Sequence, residues 1–217
     1  MSPRPPFVPA AVVFDLDGLL VDSEGLWEQA EQRVVTELGY TWDPAYQQAM
    51  LGRGAAEAAA VLASLIGEDA QMLDERLRAA SEEQFRHGIP LRPGAGQLVR
   101  RLTGRVPLAV ATNSRRVLAD LALESAGIAD HLDIVVTHDD VERAKPAPDP
   151  YVTACRKLGA DPTCSVALED SPVGVASAVA AGLWVVGCPS QPGEQLPQAH
   201  TVVCSLDEVD PVALLGS

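Results

Sequence analysis

The sequence predicts an α/β fold: a Rossmann-like, doubly wound parallel sheet that carries an inserted all-helical cap subdomain. Two patterns predict it. Short, nearly continuous apolar runs alternate with helix-patterned segments along most of the chain, and one helix-patterned gap of about ninety residues separates the first two runs. A strand covered on both faces has no solvent side, so it reads as an unbroken apolar stretch and not as an alternation.

The predicted strands are AVVF (11–14), VPLAVA (106–111), LDIVV (132–136), SVAL (165–168), LWVVG (183–187) and TVVC (201–204). Predicted helices follow over 114–126, 149–158, 172–181 and 206–215. Strand then helix, repeated, argues for the doubly wound sheet. A βαβ crossover needs only a dozen or so residues, so the long gap after the first strand reads as an insert. Within it, Leu26, Ala30, Val34 and Leu38 share one helical face, and 55–66 and 71–85 are helical in pattern. The expected organisation is a flexible Pro-rich tail over 1–9, a core of 10–20 and 90–217, and a helical cap over 21–89. Ligands of open α/β sheets bind outside the carboxyl ends of the strands, and an insert at the end of the first strand reads as a lid there.

Composition narrows the function. Sixteen Lys and Arg against thirty Asp and Glu in 217 residues give a net charge of −14. Such a surface repels nucleic acid and anionic membrane, so neither is an expected partner. Apolar residues make up 47% of the chain, enough for a sizeable core. Cys155, Cys164, Cys188 and Cys204 show no C-x-x-C and no His at zinc spacing, which suits a reducing, cytoplasmic location. MSPRPPFVPA lacks the apolar stretch of a signal peptide, and no run of eighteen apolar residues occurs. No long exposed apolar stripe demands a partner, so a monomer is expected.

Four polar constellations stand at predicted strand ends. In VVFDLDGLLVDSE a buried strand runs into Asp15 and Asp17. An Asp–Gly turn accounts for that pattern, and so does a pair of carboxylates curled toward one point. In VATNS, Ser114 reads as an N-cap, while Thr112 and the free N–H groups of a helix start would also suit an anion. In RAKPAPDP, alternate prolines stiffen the loop beside Lys145, one of only two lysines, and Asp149–Pro150 reads as a helix start with Asp149 as N-cap. In SVALEDSPVG a strand ends in Glu169–Asp170, and Ser171–Pro172 opens a helix.

Together these stretches bring up to four carboxylates and one ammonium to the same sheet edge. Two unit charges 4 Å apart interact by roughly 4 kcal/mol at an effective dielectric of 20, so four acids need a cation to remain ionised there. An all-oxygen set without His or Cys suits a hard divalent ion, Mg²⁺ first.

DLDG, VATNS, KPAPD and LEDS, in that order, resemble the haloacid dehalogenase superfamily. The likeness is to its branch with a helical cap after the first strand, the β-phosphoglucomutase-like and sugar-phosphate phosphatase group. The resemblance covers the chain from about residue 10. It implies Asp15 as a nucleophile forming an aspartyl-phosphate and Asp17 as general acid and then base. It implies phosphoryl contacts from Leu16, Thr112, Asn113 and Lys145. It also implies Mg²⁺ on the Asp15 carboxylate, the Asp17 carbonyl and Asp170, with Glu169 supporting the ion directly or through water.

The expected function is hydrolysis of a small sugar or polyol phosphate. The second carboxylate, Asp17, sets the chain apart from the superfamily's dehalogenases. A phosphomutase of the group typically has a His early in its first cap helix, where Trp27 stands here, and a cap Arg at a spacing that Arg53 does not keep. Arg53 is retained as a candidate substrate contact, and Trp27 reads as cap packing before sugar platform. A phosphomutase and a non-catalytic phosphate-binding module are the alternatives.

Overall fold

The structure is a computed structural model that describes residues 2–50, 55–191 and 193–216. Two compact units divide these residues: one runs through Asp22 and resumes at Ile89, and the other is Ser23–Gly88.

The first unit is built on six parallel strands: β1 (Ala11–Phe14), β2 (Leu108–Ala111), β3 (Ile134–Val136), β4 (Ser165–Glu169), β5 (Trp184–Gly187) and β6 (Thr201–Val202). Their order is β3-β2-β1-β4-β5-β6. The chain winds outward on one side of β1 and then returns to its other side. The reversal therefore lies between β1 and β4, where the carboxyl ends of strands open a crevice. Register is set by pairs such as Phe14 with Leu168 and Phe14 with Val110. β1, β2 and β4 are buried at every position, as continuous apolar runs require.

β1 and the helix over 149–158 keep the expected bounds, while several other elements are shorter than the sequence runs suggest. The expected helix over 206–215 is a 3-10 turn at Leu206–Glu208 followed by a helix only at Pro211–Leu215. Pro211 disfavours helical backbone at Asp210, which instead caps the new helix by accepting from Val212 N–H. The helix after β2 spans Arg116–Ser125 and not 114–126. The helix after β3, Asp149–Leu158, starts with Asp149 inside its first turn and Pro148 at the N-cap, so Asp149 is not the cap. Pro172–Ala180 opens after Ser171, whose hydroxyl accepts from Gly174 N–H as expected of an N-cap. A helix at Ala95–Leu102 was not foreseen; its Ala95, Leu98, Val99 and Leu102 form one buried face. Of the stretch expected as a tail, Pro3, Pro5 and Pro9 are buried, and Ser2 Oγ accepts from Asp210 N–H at 2.7 Å.

The second unit holds helices at Glu24–Glu37, Pro44–Met50, Ala55–Ile66 and Ala70–Arg86. It has an apolar core of its own, with Ala30, Val34, Leu62, Ile66 and Leu73 buried together. Trp27 meets Phe85 edge-on, with ring centroids 5.1 Å apart, which is the packing role read from the sequence. No described helix is long and apolar enough to cross a membrane.

Candidate active site

Strand order and strand ends build the site. Asp15 is the first residue beyond β1, and its N–H bonds Leu168 O of the neighbouring β4 at 3.0 Å. That ladder bond sets Asp15 beside Glu169, with Asp170 next along the chain. After Asp15 the chain turns back at once. Leu16 O accepts from Leu20 and Val21 N–H, Gly18 N–H bonds Val21 O, and Gly18 takes the positive φ of 83° that favours glycine. A Cβ at Gly18 would also collide with the Asp170 carboxylate. Leu16 is fully buried, and its apolar side chain has no hydrogen-bonding group, so only its backbone could serve a phosphoryl oxygen.

Four ionisable side chains gather here almost without solvent: Asp15 is 7% exposed, Lys145 8%, Glu169 0% and Asp170 5%. Lys145 Nζ lies 2.5 Å from Asp15 Oδ1 and 2.6 Å from Glu169 Oε1. Oxygens of Asp15, Glu169 and Asp170 all fall within 4.8 Å of one another. The Asp15 and Asp170 carboxyls are thus close enough for one ion to bridge.

Burial and mutual charge shift these groups. Desolvation raises the Asp15 pKa from 3.8 to about 7, with Lys145 opposing and the charges of Glu169 and Asp17 adding to the rise. Asp170 is pushed well above the carboxylate range by burial and then by Asp15 and Glu169, although Ser190 donates a hydrogen bond to it. Burial alone would lower the Lys145 pKa, but Asp15 and Glu169 outweigh it and raise it, so the side chain stays an ammonium. Asp15 and Asp170 therefore hold their protons more firmly than free carboxyls do unless further positive charge arrives. An all-oxygen, buried set with this deficit fits a hard divalent cation.

Asp17 faces other partners. Its Oδ2 accepts from Ser114 Oγ at 2.6 Å and Thr112 Oγ1 at 3.3 Å. Ser114 is therefore not the N-cap that the sequence suggested. The helix begins two residues later, with Arg115 in the cap position, and this frees the Ser114 hydroxyl to reach Asp17. Thr112, the first residue beyond β2, is buried and also accepts from Ser114 N–H. The Asn113 side chain pairs with the backbone of Lys145, accepting from its N–H and donating to its carbonyl.

Of the predicted site residues, Asp15, Lys145, Glu169 and Asp170 come together in one cluster, with Thr112 and Asn113 reaching it through Asp17 and Lys145. Arg53 lies outside the described residues. Three side chains went unnoticed in the sequence: Ser114 in its contact with Asp17, Ser190 and Tyr151. Ser190 follows the end of β5 by three residues, the same kind of position as Asp15 and Asp170. Applying the strand-end criterion to β5 would have found it. Tyr151 Oη donates to Glu169 Oε1 at 2.6 Å, and burial first, then Glu169, push its pKa well above the ordinary phenol value.

A parallel α/β sheet with buried acids and a lysine at its carboxyl edge defines a site where a hard cation and an anionic group could meet. The chain belongs to the haloacid dehalogenase-like hydrolase family, which it matches over residues 12–188. It is 34% identical to the validoxylamine A 7'-phosphate phosphatase of Streptomyces hygroscopicus subsp. limoneus, over 91% of this chain and 94% of that one. It is 29% identical to the fructose-1-phosphate phosphatase YqaB of Escherichia coli strain K12, over 82% and 95%. Its fold matches that of CbbY from Rhodobacter sphaeroides in complex with phosphate, with a TM-score of 0.80, 26% identity, and 91% and 95% coverage. The protein is accordingly a phosphatase of this family with a β-phosphoglucomutase-like architecture.

Proposed function

We propose that the protein hydrolyses a small sugar or polyol phosphate monoester, dependent on Mg²⁺, through a phosphoryl-aspartate at Asp15. One observation carries the reading: the Lys145 ammonium rests 2.5 Å from Asp15 Oδ1, in the same buried cluster as Asp170. A carboxylate attacking a phosphate dianion meets like charge, and here cationic compensation is concentrated at the attacking group itself. Asp15, Asp170 and the Asp17 carbonyl would hold Mg²⁺, with Glu169 supporting the set. The bound ion would act as a Lewis acid, neutralising charge on the transferred group.

In the first step an Asp15 oxygen bonds to phosphorus as the bond to the leaving alkoxide breaks. Asp17, as the acid, gives the alkoxide a proton. In the second, Asp17 takes a proton from water as the water oxygen bonds to phosphorus. The bond from phosphorus to Asp15 then breaks, which releases orthophosphate and restores both acids. Thr112, Lys145 and the backbone N–H groups of Leu16 and Asn113 would hold the phosphoryl oxygens. Arg53, outside the described residues, is kept as a candidate substrate contact.

Hydrolysis is favoured over phosphomutase transfer by Trp27, which packs on Phe85 where a mutase has its His. The sugar or polyol assignment leans on the relatives named for fructose 1-phosphate and validoxylamine A 7'-phosphate. The test is a panel of hexose, polyol, glycolate and nucleotide monoesters with and without Mg²⁺. The reading expects Mg²⁺-dependent phosphate release, fastest with a sugar or polyol ester. Conversion of β-glucose 1-phosphate plus a trace of the 1,6-bisphosphate into glucose 6-phosphate would show a mutase, and no turnover of any ester would show a binding module.

A further inference from the structure

One buried polar group beside the cluster has no part in the steps above: the hydroxyl of Tyr151. The ring is fully buried, packed with Val13, Ala109, Ala167 and Val175 in the core of the sheet unit. Phe would fill that volume equally well, so packing alone does not call for the oxygen. The oxygen touches two site residues. It donates to Glu169 Oε1 at 2.6 Å and accepts from Lys145 Nζ at 3.3 Å. The same ammonium lies 4.9 Å from the ring centroid, within cation–π range.

Glu169 is occupied on every side. Oε1 takes Lys145 and Tyr151, and Oε2 takes the N–H groups of Asp170 and Ser171 and the Ser171 hydroxyl at 3.1–3.4 Å. Its carboxylate is seated against Gly174, where any Cβ would collide with it. A carboxylate offers about four lone-pair sites, so five donors hold this one closely in place. Beside its support of the metal set, it is the counter-ion of Lys145.

We propose that Tyr151 is a positioning residue which, with Glu169, clamps the Lys145 ammonium onto Asp15. This rests on the phosphatase reading above. Lys145 opposes charge on the transferred group, so a loosened Lys145 weakens the transition state more than the bound substrate.

The test is Tyr151→Phe, which keeps the ring and removes one oxygen. Steady-state kinetics on p-nitrophenyl phosphate, inhibition by orthovanadate and by phosphate, and calorimetric titration of Mg²⁺ would be measured beside wild type. Loss of one hydrogen bond to a charged group predicts a kcat lower by about tenfold and orthovanadate inhibition weaker by a similar factor. KM and phosphate inhibition should weaken by clearly less than kcat falls, since Lys145 meets most charge in the transition state, and Mg²⁺ affinity should stay within about twofold. Wild-type kcat with only a lowered melting temperature would reduce Tyr151 to packing. An Mg²⁺ affinity weakened by an order of magnitude, with kcat restored at high Mg²⁺, would show that Tyr151 acts through the metal set and not through Lys145, and would overturn the proposal. A wild-type protein with no Mg²⁺-dependent turnover would instead refute the phosphatase reading, and the proposal with it.

Discussion

Asn113 and Lys145, 32 residues apart and on different loops, are joined by two hydrogen bonds: Lys145 N–H donates to Asn113 Oδ1 at 2.9 Å, and Asn113 Nδ2 donates to the Lys145 carbonyl at 3.2 Å. One amide side chain therefore answers both backbone groups of the residue whose ammonium meets Asp15. The loop after β2 thus fixes where the loop after β3 can place its cation. Asn113→Ala removes both bonds, each worth about 1 kcal/mol, so a kcat lower by roughly tenfold and a modest fall in melting temperature are expected. Kinetics and thermal melts check both, and Asn113→Asp, which keeps the acceptor alone, should fall between.

Lys145→Met should abolish turnover and also unfold more easily. The side chain is buried between two carboxylates at 2.5 and 2.6 Å. Removing one partner of a buried ion pair costs about 3–5 kcal/mol because the remaining charge is uncompensated. Urea titration in EDTA at pH 8 measures it. The loss should shrink at pH 5, where Asp15 holds a proton.

The stability of the metal-free protein carries a pH signature from Asp15. Its pKa in the folded protein is raised from 3.8 to about 7, so between those values the folded state binds a proton that the unfolded chain has lost. Stability from this group is fully present below pH 3.8, declines as pH rises and is gone above about 7. Other carboxylates act in the opposite sense; Asp140, for example, is lowered because hydrogen bonds from Thr137 outweigh its desolvation. The difference between wild type and Asp15→Asn isolates the term: the variant should gain relative stability from about pH 4 to 7. Mg²⁺ should raise the wild-type melting temperature little at pH 4.5 and strongly at pH 8. Differential scanning calorimetry reads both.

Ser114 donates to Asp17 Oδ2 at 2.6 Å and so orients the proposed acid and base. Ser114→Ala removes this bond and keeps the Thr112 hydroxyl at 3.3 Å. The expected outcome is a kcat lower by about threefold to tenfold, the effect of one lost hydrogen bond. Product inhibition by phosphate should hold at the wild-type value, which separates orientation of Asp17 from phosphate binding.

Much of this arrangement is legible in the sequence because parallel strands and their ends write themselves plainly. AVVF, SVAL and LAVA are apolar on both faces, and the acids and Thr112 come directly after them. The side-chain contacts were less legible, for reasons that lie in local ambiguity. A Ser before a helix reads as a cap, and only the true helix start at Arg116 releases Ser114 toward Asp17. A Tyr on the buried face of a helix reads as core volume, and nothing local says that its oxygen meets Glu169, 18 residues on. Glu169 itself reads as half of an acidic pair. Its engagement with Lys145 depends on two strands and a loop converging in space.

The account stands or falls on a bond between Asp15 and phosphorus. Wild-type protein mixed with a fast phosphate ester and Mg²⁺, quenched in acid within a turnover and digested, would be read by mass spectrometry. The peptide that contains Asp15 should carry the mass of one phosphoryl group, located on Asp15 by fragmentation and absent in Asp15→Asn. An unmodified Asp15 peptide during steady turnover, or full activity in Asp15→Asn, would contradict it.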